Sequence, residues 1–249
     1  MRVWIFSDLH LTNSGSSLYR AFLKTLAIPS DSNDVIVFSG DIFDLMVGNS
    51  SYFKEKFGEF FEAVTRLSLA SVGVHYIEGN HDFHLRDLFP SSVIFHEDSV
   101  VLEDKAMSPP QKLYIAHGDL VDKEDQQYLR LRRFFRSKPI QVLSRILPGQ
   151  WIERIGSRLS RPADQKARDL PESWDPEKRA KLRVTFRKFA HQKHEQGNDF
   201  VILGHCHDLD QLEPYYFNMG YPPVHGKYLY YETPSVSELA KVQRREFGE

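Results

Sequence analysis

Phe200-Val201-Ile202-Leu203-Gly204-His205-Cys206-His207 sets four strand-forming residues directly ahead of two imidazoles one residue apart. A short apolar run rich in β-branched and aromatic residues and closed by a turn residue favours a buried strand over a helix. The same arrangement recurs four times upstream. Residues 3–6 lead to Asp8-Leu9-His10, 35–38 to Gly40-Asp41, 74–77 to Gly79-Asn80-His81-Asp82, and 113–115 to His117-Gly118-Asp119. Alternate residues leaving a strand share a side, so Asp8 with His10, and His205 with His207, can each point one way. Five runs of metal-ligand residues after five strands imply one site built from strand ends.

A further strand-like run lies at 228–231, and helical segments are expected over 17–26 and 53–69. The second carries Phe57, Phe60, Phe61, Val64 and Leu67 along one face. Strands alternating with helices predict an α/β fold whose site lies at the carboxyl ends of the strands. Residues 93–102 are expected to hold a pair of strands, and 244–249 to be a frayed tail. The rhythm breaks over 122–195, where Pro139, Pro148, Pro162, Pro171 and Pro176 cut a helical insertion into short pieces. Between Gln126 and Arg161, Arg130, Arg132, Arg133, Arg136, Lys138, Arg145, Arg154, Arg158 and Arg161 face a single acid, Glu153, and apolar residues from Leu131 to Leu159 are interleaved. Residues 1–249 are expected to form one domain with 122–195 inserted into it.

Composition narrows the setting. Of 249 residues, 41% are apolar and 27% charged, which is ordinary for a soluble globular protein, and the net charge of -2 argues neither for nor against a nucleic-acid partner. One cysteine excludes a disulfide framework and suits a reducing compartment; Cys206 between its histidines is expected to be a small packed residue. The apolar start is too short for a signal-peptide core, and no stretch approaches the ~20 apolar residues of a spanning helix. A cytoplasmic protein able to touch a membrane surface is expected.

Water attacking a phosphoryl group is repelled by its negative charge. Two divalent ions answer this by neutralising phosphate oxygens and lowering the pKa of a water. Such a pair needs a carboxylate that reaches both ions, and Asp41, after a strand and a Gly, is the natural bridge. Asp8, His10, Asn80, His117, His205 and His207 supply the nitrogen and oxygen donors around it. Mixed imidazole and oxygen donors without thiolate point to Mn, Fe or Zn over Ca without selecting among them, and Mn is taken as the first expectation. Each piece alone is commonplace; Asn80 by itself is an ordinary turn residue.

The ordered set Asp8-x-His10, Gly40-Asp41, Gly79-Asn80-His81-Asp82, His117 and Gly204-His205-x-His207 resembles the calcineurin-like metallophosphoesterases. The resemblance implies a four-layer α/β/β/α sandwich with a helical cap. It also implies one metal on Asp8, His10, Asp41 and His207 and a second on Asp41, Asn80, His117 and His205. Within that superfamily, the insertion is similar to the helical cap of UDP-2,3-diacylglucosamine diphosphatases of lipid A synthesis, on His117-Gly118-Asp119, the acidic run after it, Tyr128 and the Arg-rich helices. That similarity implies water attack on the α-phosphorus to give UMP and a diacylated glucosamine 1-phosphate. It implies substrate contacts from Asn80, His81, Asp125, Tyr128, Arg161, Lys166 and His205. It further implies a lipidated UDP-sugar as partner, peripheral attachment to an anionic membrane surface on the inner face of the cytoplasmic membrane, and neither a nucleic acid nor an obligate protein partner.

His81 departs from the pattern, because the best-known diphosphatases carry Arg there. The wider superfamily uses His, which contacts phosphate and can protonate a leaving group, so His81 is a candidate general acid. A nuclease or a soluble nucleotide pyrophosphatase is therefore the alternative reading. Asp44 can either orient His81 or cap the next segment. Asp82 and His84 are expected to support the site, while His75, His96, His191, His194 and His225 are expected to be surface or core residues.

Overall fold

The computed structural model describes residues 1–48, 50–156, 176–234 and 240–248. Strands β1 (Arg2–Phe6), β2 (Asp34–Ser39) and β4 (Gly73–Ile77) run parallel, and β6 (Ile94–His96) continues the sheet beyond β4. On the other side of β1 lie β12 (Lys227–Glu232), antiparallel to it, and β13 (Lys241–Glu246), antiparallel to β12, giving the order β13-β12-β1-β2-β4-β6. A second sheet of five strands has the order β10-β11-β9-β8-β7, from β7 (Ser99–Asp104), β8 (Gln111–Ala116), β9 (Phe200–Leu203), β10 (Gln211–Leu212) and β11 (Tyr216–Asn218).

The period of two in each strand sorts its side chains into layers. In β1, Val3 and Ile5 enter the core between the sheets, with Ile77, Ile115, Ile202 and Leu229. Trp4 and Phe6 point the opposite way, into an aromatic core under α1 (Ser17–Thr25), α2 (Ser51–Lys56) and α3 (Gly58–Leu69). In β8 and β9, Tyr114, Val201 and Leu203 face outward onto Phe186 and Ala190 of α7 (Pro176–Glu195). Layers of helix, sheet, sheet and helix result, as the resemblance implied. The outer layer on this side is thus built by the last part of 122–195. Between β8 and α7, α4 (Gln126–Phe135), α5 (Lys138–Ile146) and a helical stretch at 149–156 (α6) lie against the region of β3 (Met46–Val47) and β5 (Asp82–Phe83).

Three expectations change in detail. The helix expected over 53–69 is two helices, because Phe57 leaves helical geometry at φ -123° and ψ 37° while staying buried. Its apolar stripe therefore runs unbroken across the bend. Residues 93–102 do supply two strands, but β6 and β7 belong to different sheets. The first half of the tail expected over 244–249 belongs instead to the edge strand β13, registered on β12 from Lys241↔Glu232 to Glu246↔Lys227. It buries only Val242 and spends its charges on an edge, where they discourage further pairing. Finally, β3, β5, β10 and β11 are two or three residues long and carry no periodic signal.

Candidate metal centre

The loops after β1, β2, β4, β8 and β9 meet at one end of the two sheets. Asp8, His10 and His207 offer ligand atoms within 4.8 Å of one another, as do Asp41, His117 and His205. Asp41 joins the two groups: its Oδ2 lies 3.5 Å from His117 Nε2 and 3.9 Å from His10 Nε2. His10 Nε2 is 3.2 Å from His207 Nε2, and His207 Nε2 is 3.3 Å from Asp8 Oδ1. Asn80 Oδ1 lies 3.1 Å from His117 Nε2. All seven side chains predicted to be ligands are therefore brought together.

The backbone is bent to achieve this. Asp8, His10, Asp41, His205 and His207 all have φ between 43° and 66°, the left-handed region that non-glycine residues rarely enter. Strain of ~1–3 kcal/mol per residue persists only where the surroundings impose it, and it concentrates at functional sites. Here the surroundings are the loops themselves. Asp8 accepts the His205 N–H at 3.0 Å, and Asp41 Oδ1 accepts the His81 N–H at 2.9 Å. Two glycines permit the approach. A Cβ on Gly79 would lie 2.1 Å from Asp41 Oδ1, and one on Gly204 would lie 2.4 Å from Asp8 Oδ2. Asp82 is fully buried and ties two loops together, accepting from the backbone of Asp41, Ile42 and Gly79 and from the Tyr76 hydroxyl.

The donor set fits divalent cations. His117 Nδ1 faces the Ser39 carbonyl at 3.0 Å, an acceptor only, so Nδ1 carries the proton and donates. That leaves Nε2 aimed at Asn80 Oδ1 and Asp41 Oδ2, and a positive charge at this point reconciles the three acceptors. Although burial opposes it, Asp41 holds His117 up at about 10, while Asp41, buried too, is held well below the usual carboxylate range by His117 and His81. A cradle that retains a proton this strongly suits a cation in the proton's place. Burial pushes His10 down to about 3 and His205 to about 4, so both are neutral at pH 7 with lone pairs to offer. The family model for calcineurin-like phosphoesterases matches residues 1–209.

The chain belongs to that family. It is a metal-dependent hydrolase, and it is similar over most of its length to enzymes named UDP-2,3-diacylglucosamine hydrolase. That of Chromohalobacter salexigens is 27% identical over 213 residues, 83% of this chain and 80% of the relative. That of Serratia proteamaculans is 26% identical over 210 residues, 83% and 82% of the two chains. For that of Neisseria gonorrhoeae the figures are 26% over 220 residues, 82% and 90%.

Beside the metal cluster opens a cavity of 480 Å³ whose lining includes Asn80, His81, Leu45, Phe135, Leu147 and Ile152. His81 Nδ1 donates to the Asp44 carbonyl at 2.7 Å, which fixes the ring edge-on to that of His10, 4.9 Å away. Asp44 thus holds His81 through its backbone, while its carboxylate lies 3.9 Å from His10 Nδ1. Tyr128 lines the cavity beside the His205 ring, its hydroxyl donating to Asp119 at 2.8 Å. Asp125 does not line it: its carboxylate caps α4 by accepting the Tyr128 N–H, a role its exposed position before the helix explains. Arg161 and Lys166 lie outside the described residues. Cys206 is a packed residue, its thiol pushed up by burial, and His75, His96, His191, His194 and His225 take no part in the metal-ligand groups.

Sequence reasoning missed Arg132 and Arg136 in the cavity wall. Arg132 pairs with Asp119 at 2.6 Å, and Arg136 donates to the Glu78 and Gly79 carbonyls at 2.9 Å, clamping the loop that carries Asn80. Their signal was available, since 128, 132 and 136 share one helical face.

Proposed function

We propose that this enzyme hydrolyses the pyrophosphate of UDP-2,3-diacylglucosamine, releasing UMP and the diacylated glucosamine 1-phosphate. The observation that carries this reading is the apolar cavity sharing Asn80 and His81 with the metal cluster. Its 480 Å³ lies in the range of small-molecule sites, and its wall of Leu, Ile and Phe suits acyl chains far better than a second nucleotide. The relatives' names point the same way.

In this reading Asp8, His10, Asp41 and His207 hold one divalent ion, and Asp41, Asn80, His117 and His205 hold the other. Such ions, Mn first with Fe or Zn as alternatives, supply Lewis acidity that neutralises phosphate oxygens and brings the pKa of a water towards neutrality. The chain's own residues do the rest. His10 and His205 present lone pairs without first losing a proton. His81, fixed through Nδ1, turns Nε2 to the phosphate and, as imidazolium, gives a proton to the leaving oxygen. Helices at 126–156 act as a cap whose inner wall takes the acyl chains and excludes water.

The outer face of those helices suits the inner face of the cytoplasmic membrane. Phe134, Ile146 and Trp151 are 58%, 72% and 59% exposed, with Arg130, Arg133, Lys138, Arg145 and Arg154 among them. Leu131, Leu143 and Ile155 are exposed and also line the cavity, so acyl chains can pass from lipid to site along one continuous apolar surface. No helix among the described residues is long and apolar enough to cross a membrane, so contact would be peripheral.

The test is UMP release from UDP-2,3-diacylglucosamine with Mn²⁺, set beside UDP-glucose and single-stranded DNA. Turnover of the first alone is expected. Equal turnover of UDP-glucose, or hydrolysis of DNA, would replace this reading with the nucleotide pyrophosphatase or nuclease.

A further inference from the structure

His207 lacks the support a ligating imidazole usually has. Metal-bound histidines as a rule donate their far ring nitrogen to a carboxylate or carbonyl, which fixes the ring. His207 Nδ1 is buried and meets no hydrogen-bond partner among the described residues. The ring stacks on Tyr221 at 4.5 Å, which sets its tilt but not its reach. Its aim therefore depends on the backbone, and that backbone is strained, with φ 66° at His205 and 52° at His207.

Immediately after the pair come Asp208 and Asp210, 3% and 6% exposed. Both are gripped by one face of α7. Arg183 binds Asp208 through Nε and Nη2 at 2.7 and 2.8 Å, and Arg179 adds a third bond to the same carboxylate at 2.9 Å. Arg187 binds Asp210 through Nε and Nη2 at 2.8 and 2.5 Å. Residues 179, 183 and 187 stand four apart, so the three guanidiniums form a straight row. Forked pairing of guanidinium with carboxylate fixes direction as well as distance. From the other side, Asp8 accepts the His205 N–H, so residues 204–210 are stretched between a metal ligand and a rigid helix.

We infer that Arg179, Arg183 and Arg187 are positioning residues for cation binding: the row on α7 sets the metal affinity of the centre by fixing the loop that carries His205 and His207. The inference rests on the two-metal reading of this site. Because His205 and His207 belong to different ligand groups, loss of the row weakens both binding events together. A stabilising salt bridge with no such role would change thermal stability and leave metal affinity alone.

The experiment titrates Mn²⁺ into the intact metal-free chain by calorimetry, with no substrate present. Wild type is compared with Arg183→Gln, with the milder Arg183→Lys, and with Arg20→Gln, which breaks the exposed Arg20–Glu59 pair far from the site. Loss of partners that orient a ligand typically costs about 10–100-fold in metal affinity, which is expected for Arg183→Gln at both sites. Arg183→Lys keeps the charge but not the fork, and should lose several-fold even if Arg183→Gln does not fold. Arg20→Gln should bind as wild type does. Wild-type affinity in the Arg183→Lys variant would overturn the inference, as would a loss confined to one site. If wild type itself bound no Mn²⁺, the two-metal reading would fall, and the inference with it.

Discussion

Gly79→Ala should disable the enzyme without unfolding it. The added methyl would sit 2.1 Å from Asp41 Oδ1 and 2.4 Å from the Asp41 backbone nitrogen, where real Cβ contacts stay above 3.0 Å. Opening the first contact to that limit moves the carboxylate by nearly an ångström. The backbone cannot easily yield, because the same nitrogen donates to buried Asp82. Asp41 reaches both ligand groups, so the displacement falls on the shared ligand. A shift of this size in a catalytic constellation costs about 100-fold in rate, or about 2.7 kcal/mol of barrier. Overpacking a tight contact removes about 1–3 kcal/mol of stability, which a domain of this size survives. Mn²⁺ affinity by calorimetry, turnover and melting temperature should be measured together. Gly58→Ala is the control: it adds the same methyl in α3 with nothing within 4 Å, and should be neutral or stabilising. Wild-type metal affinity and turnover in Gly79→Ala would refute the placement of Asp41 between two cations.

Asp41→Ala should abolish turnover and lower bound Mn²⁺, checked by elemental analysis, while far-UV circular dichroism is unchanged. Leu147→Trp fills the cavity, so UMP release from the diacylated substrate should fall at least tenfold while a small chromogenic phosphodiester is spared. Phe134→Asp with Trp151→Asp should weaken sedimentation with phosphatidylglycerol vesicles at least tenfold, since each large apolar side chain withdrawn from lipid forfeits about 1.5–3 kcal/mol. His75, pushed down to about 4 by burial and by His96, stays neutral in the fold when the unfolded chain has already taken its proton. That contribution to stability is present above pH 6.5 and is lost as pH falls towards about 4. The melting temperature of His75→Asn should accordingly fall less steeply than wild type over that window.

The strands that carry ligands were legible because both their faces are buried. A strand such as Val35 to Phe38, lodged between two cores, must be apolar throughout and is then cut short by Gly40-Asp41. The ligands were legible because each follows such a strand, and residues so placed converge wherever parallel strands lie side by side. What stayed hidden has other causes. Edge strand β13 is polar because its outer face meets water, so Lys241 to Glu246 resembles a tail. The break at Phe57 is masked by its own burial. The capping role of Asp125 stayed hidden because a capping carboxylate leaves no trace in composition. The row of arginines on α7 stayed hidden because its partners Asp208 and Asp210 lie more than twenty residues away in the chain.

The central claim is that seven side chains from five strand ends hold two cations close enough to share Asp41. Anomalous diffraction from crystals soaked in Mn²⁺ tests it directly. Two peaks within about 4 Å of each other are expected, one against Asp8, His10 and His207 and the other against Asn80, His117 and His205, with Asp41 touching both. A single peak, or two peaks with Asp41 bound to only one, would contradict it.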